Sequence, residues 1–89
     1  MKDPDQAEWS WIRPHAERDA VILVAPGLQL TEVAQVLSAN QSKQVAAWIS
    51  EGRLSKPSQT DLQSWNQEPT RLFWCLVVQP FVLIQRLDS

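Results

Sequence analysis

Two spacings of apolar residues alternate along the chain. From Leu30 the apolar positions Leu30, Val33, Ala34 and Leu37 fall at i, i+3, i+4 and i+7, and the pattern returns at Val45, Trp48, Ile49 and Gly52. That period predicts two amphipathic helices in succession. Asn40 is placed as the N-cap of the second and Gly52 as its stop, with Arg53 and Lys56 near the negative end of the dipole. A third helix is expected over 59–67, where Ser58 is a cap with Asp61 three residues on, Leu62 and Trp65 point inward, and Glu68-Pro69 ends the run. Nearer the start, Ser10 as a cap predicts a short helix over 11–18, with Pro14 in its first turn where a missing N–H does no harm. Trp11, Ile12, His15 and Ala16 then share one face, with Trp11 and His15 one turn apart.

The remaining apolar stretches are continuous rather than periodic. Ala20 to Ala25 reads AVILVA and is closed by Pro26-Gly27, which marks a strand followed by a turn. Leu72 to Gln85 reads LFWCLVVQPFVLIQ, with no charged residue. A membrane-spanning helix needs about twenty uninterrupted apolar residues, so this run is read as two short buried strands, 72–78 and 81–87. Pro80 lacks an N–H, and a bent or bulged edge strand is the simplest way to hold it; a tight two-residue turn there would require a cis Pro80. The order of helix, strand, three helices and two strands predicts an α+β fold. The expected form is a small three-stranded sheet with about four short helices packed mainly on one face. Residues 9–87 would form a single compact domain behind a flexible acidic segment at 1–8.

Composition alters this outline in one respect. Eighty-nine residues leave room for one domain, and five of them are Trp, with no Tyr. Trp11, Trp48 and Trp65 fall on apolar faces of three expected helices and Trp74 within a strand, so four are explained as large core pieces. Trp9 stands outside every pattern, either a lid on the core or a contact for a partner. The segment before it has no apolar stretch of the kind a secretory signal carries, from which a soluble, cytoplasmic location is expected.

The supply of catalytic groups is thin. His15 is the sole histidine and Cys75 the sole cysteine, so neither a histidine pair nor a cysteine cluster can hold a metal, and no disulfide can form within the chain. Two glycines do not make a phosphate loop. No catalytic residue, cofactor or metal site is expected, and the chain is read as not an enzyme. An enzyme built on His15, with Arg13 or Arg18 holding an anion, would need a concave pocket around that histidine.

Residues 30–56 raise a different possibility. The two helices, with Gly52-Arg53-Leu54 at the end of the second, resemble the helix-turn-helix of excisionase and MerR-type regulators. A recognition helix presents Arg, Lys, Asn or Gln to DNA, yet the outward positions Gln41, Ser42, Lys43, Gln44, Ala47, Ser50 and Glu51 contain one cation, and the net charge is −2. The electrostatic part of DNA affinity would be small, which argues against nucleic acid as the partner.

Three stretches, Trp11 to Ala20, Trp48 to Pro57 and Val78 to Gln85, together resemble an uncharacterised family of small bacterial proteins, frequent in cyanobacteria and proteobacteria. The resemblance implies a short, single-domain bacterial protein and carries over no catalytic residues. The function expected is a non-catalytic protein-interaction or assembly module, with a protein partner or a homodimer, because strands 72–78 and 81–87 threaten to leave an uncharged sheet edge exposed. The alternative is DNA binding through residues 30–56. Candidate contacts are Trp9, His15, Arg18, Lys43, Arg53 and Lys56.

Overall fold

The computed structural model describes residues 4–87. Among these the chain runs β1 (Asp5–Glu8), α1 (Trp9–Glu17), β2 (Val21–Val24), α2 (Leu30–Ser38), α3 (Ser42–Ser50), β3 (Leu54–Ser55), α4 (Gln59–Asn66), β4 (Leu72–Val78) and β5 (Phe81–Arg86). The α+β class holds, but the sheet has five strands instead of three, in the order β1-β4-β5-β2-β3. The two additions are the outermost strands. Residues 5–8, expected to be flexible, pair antiparallel with β4 from Asp5↔Cys75 to Glu8↔Leu72, and β3 contributes two residues beside β2.

These edge strands change the meaning of the uncharged run. β4 and β5 pair antiparallel with each other, and β5 is parallel to β2, so both long apolar strands are interior. A strand buried on both faces reads as a continuous hydrophobic stretch. Along Leu72 to Cys75 the uncharged edge that motivated a homodimer is therefore covered within one chain. Between β4 and β5, Val78 faces Phe81 across a two-residue turn with a cis Gln79–Pro80 bond, in place of the bend or bulge expected there.

Helices pack on both faces, two on each, not mainly on one. Successive strand residues point to opposite sides, and the core divides accordingly. Val24, Leu76 and Leu83 pack with Leu30, Val33 and Ala34 of α2 and Trp48 of α3. On the other side Val21, Phe73, Cys75, Val82 and Ile84 pack with Trp9 and Ile12 of α1 and Trp65 of α4. No polar or charged residue among those described is buried.

Helix ends follow a common pattern. α1, α2 and α3 each stop where the second residue beyond the helix turns left-handed, at Asp19 (φ 63°), Asn40 (φ 58°) and Gly52 (φ 76°). In each case the following N–H reaches back across the last turn, Ala20 to His15, Gln41 to Val36 and Arg53 to Trp48, satisfying carbonyls that would otherwise lack partners. Asn40 therefore ends α2 rather than capping α3, adopting the left-handed backbone that glycine most often supplies at a helix end. α4 begins as expected: Asp61 N–H donates to Ser58 Oγ at 3.1 Å and Ser58 N–H to Asp61 Oδ2 at 3.2 Å.

α1 begins two residues earlier than the Ser10 cap implied, and Glu8 precedes it without a side-chain cap bond. The shift rotates its buried face. Trp9 and Ile12 are buried and Ala16 packs beside them, while Trp11, expected inward, is 49% exposed. In α3 Trp48 is buried but Ile49, also expected inward, lies at the surface.

Candidate functional site

Trp9 is decided by its surroundings. Its ring meets Trp65 edge-on at 5.0 Å and Phe73 at 6.1 Å, and its indole N–H donates to Asn66 Oδ1 at 2.8 Å. It is a core residue, out of reach of a partner. Trp11 takes its place at the surface, with its ring 5.0 Å from His15. Arg18 Nη2 lies 2.7 Å from His15 Nδ1, so the exposed ridge of α1 carries Trp11, His15 and Arg18 in turn. Asp19, just beyond α1, pairs with Lys56 Nζ.

The structure does not gather the remaining candidates into one cationic surface. Arg53 Nε pairs with Glu51 at 3.1 Å, and Lys56 is held by Asp19. Lys43 sits in the first turn of α3. The groove between α2 and α3 is lined largely by apolar side chains, Val36, Leu37, Val45 and Ile49 among them.

A different corner of the molecule is concave. Where β4 runs on past β1, part of the sheet is left uncovered by the described residues, and a groove of about 500 Å³ opens between β1, the start of α1 and the second half of β4. Asp5, Ala7, Glu8, Trp11, Cys75 and Val77 contribute to its lining. Val77 is 43% exposed, and Asp5 stands directly across from Cys75, so those two side chains share a face. Burial pushes the Cys75 thiol pKa up, and the nearby Asp5 carboxylate adds to the rise. Both effects disfavour the thiolate.

The groove also carries unbalanced charge. Of the eight carboxylates in residues 4–87, Glu17, Asp19, Glu51, Asp61 and Glu68 are in ion pairs. The other three, Glu32 on α2 and Asp5 and Glu8 at the groove, have no cationic partner among the described residues. The sequence reading missed this site because its walls come from positions 5–11 and 75–77, joined only by the pairing of a strand that has no apolar pattern.

Comparison with known proteins agrees with the fold. The model of a family described as protein of unknown function, DUF2288, matches residues 1–86. The chain belongs to that family. The NMR solution structure of a Pseudomonas aeruginosa protein superposes with a TM-score of 0.85 at 32% sequence identity, over 98% of this chain and 80% of that one. Comparison with curated proteins finds no match.

Within this DUF2288 chain, the string around Gln79-Pro80 that ends at Gln85 has a structural role. Ala25, Pro26, Gly27 and Leu28 make a turn with Gly27 at φ 90° and a Leu28 N–H to Ala25 carbonyl contact of 3.4 Å, the arrangement that Pro followed by Gly favours. Gln85 Nε2 donates to the carbonyls of both Ala25 and Leu28 at 2.7 Å. Gln85 thus fastens the turn after β2 to the end of β5. Among the described residues no helix is long and apolar enough to cross a membrane.

Proposed function

We propose that this chain is a non-catalytic protein-interaction module whose contact surface is the groove between β1, the start of α1 and the end of β4. The observation that carries the reading is the exposure of Trp11 and Val77 beside one concave apolar surface. Trp is enriched at the centres of protein interfaces, where a large ring gains area at small entropic cost. A reaction at this place finds poor support, because burial and Asp5 disfavour the Cys75 thiolate and no histidine is among the lining residues to activate Ser10. DNA contact through residues 30–56 has weaker support, since Arg53 and Lys56 are already neutralised by carboxylates.

A photo-crosslinking amino acid placed in turn at positions 11, 77 and 49 tests the proposal in extract from the source cells. The expected result is one shared protein captured from positions 11 and 77, and not from 49 on the opposite helical face. Equal capture from position 49, or capture from none, overturns the reading.

A further inference from the structure

The proposed contact surface has a chemical preference, and the inference drawn here rests on that reading. We infer that the partner presents an extended segment with two basic residues three apart and apolar residues between them, added alongside β1. β1 is an edge of the sheet, and an edge strand offers its outward backbone N–H and C=O groups to an incoming strand. The outward edge reads Asp5-Gln6-Ala7-Glu8. Residues directly opposite on paired strands bring their Cβ atoms to about 5 Å, so an added strand sets one side chain against Asp5 and another, three residues away, against Glu8.

Charge decides what those side chains are. The two carboxylates form no ion pair among the described residues, whereas five of the other six do. A Lys or Arg at each position supplies the missing partner. Opposite charges on facing residues stabilise a strand pair and like charges oppose it. Between them, the residue facing Ala7 lies on the side of the sheet that carries Asp5 and Cys75, and an apolar side chain there extends into the groove. The resulting pattern of basic, apolar, apolar, basic fits either strand direction. A second copy of this chain added through β1 supplies no cation, because Asp5-Gln6-Ala7-Glu8 contains none.

The test uses the whole protein and capped octapeptides in which Gly-Thr and Thr-Gly flank a central Lys-Val-Val-Lys, read by titration calorimetry. Saturable one-to-one binding that weakens with salt is expected, with little binding by the peptide whose lysines are replaced by glutamate. Asp5→Asn with Glu8→Gln should weaken binding roughly three- to thirty-fold, the range two exposed ion pairs give. Asp5→Lys with Glu8→Lys should exchange the preference, so that the glutamate peptide binds and the lysine peptide does not. N-methylation of alternate peptide nitrogens on the pairing side should abolish binding. Far-UV circular dichroism confirms that each variant is folded. Absence of binding, unchanged affinity in either double variant, equal binding of both peptides, or self-association through β1 overturns the inference. If these peptides fail while crosslinking from positions 11 and 77 still captures a common protein, the contact surface stands and its basic preference falls.

Discussion

The exchange of roles between Trp9 and Trp11 can be measured. Trp9 is 1% exposed and Trp11 49%. Truncating a buried Trp to Ala costs about 3–5 kcal/mol, against a total stability of about 5–15 kcal/mol for a domain. For a chain of this length that corresponds to a fall in Tm of roughly 12–40 °C, so Trp9→Ala should be barely folded. Trp9→Phe is the more informative variant. It keeps a ring against Trp65 and Phe73 but loses the bond to Asn66 and part of the packed indole, at a cost of about 1–3 kcal/mol. Trp11→Ala loses chiefly the contact with His15, about 0.5–1.5 kcal/mol for an aromatic pair, and regains up to about 0.7 kcal/mol because Ala is the better helix former. Its net cost should stay below about 1 kcal/mol. Urea unfolding followed by far-UV circular dichroism avoids the altered fluorescence of these variants. A larger loss for Trp11→Ala than for Trp9→Phe would refute the placement of α1.

Three further outcomes follow from the same geometry. Gln85→Leu removes both donors to the Ala25 and Leu28 carbonyls and should lower stability by about 1–3 kcal/mol; Gln85→Glu should cost more at neutral pH than at acid pH, since a carboxylate facing two carbonyls is relieved by protonation. Asn40→Val should destabilise by about 1–2 kcal/mol, because a β-branched residue resists the left-handed backbone there, whereas Asn40→Gly should be near neutral or stabilising, as thermal melts will show. Below the ordinary thiol pKa, Cys75 is protonated in folded and unfolded chains alike and contributes no pH dependence. Above it the unfolded chain ionises first, so stability should fall as pH rises, and Cys75→Ala should remove that part of the alkaline slope in urea titrations.

The parts of the fold that could be read from the sequence are those whose own residues enforce them. Ser58 and Asp61 bond each other's backbone, so α4 was visible in four residues. β4 and β5 are apolar along their length because helices cover most of both faces. Pro26-Gly27 fits one turn well and little else. What escaped was structure that depends on distant pairing. Asp5-Gln6-Ala7-Glu8 has no strand pattern, since its partner is β4 sixty-odd residues away and its outer edge is open, and β3 is too short to show a period. α1 was displaced because Glu8 begins it without a cap bond, while Ser10 looked like the better start. That error of two residues exchanged Trp11 for Trp9, and with β1 absent the groove could not be drawn. His15 and Arg18 were named as candidate contacts, but the carboxylates that matter most at this corner lay in the segment read as a flexible tail.

The most direct test of the contact surface is an NMR titration of the ¹⁵N-labelled protein with the basic octapeptide, read at the indole N–H signals. Trp9 is buried with its indole N–H on Asn66, and Trp11 lines the groove. The account predicts that the Trp11 indole and the amides of Asp5 to Glu8 shift with a common saturation curve while the Trp9 indole and α3 stay in place. Shifts centred on α2 and α3 with β1 and Trp11 unmoved would contradict it.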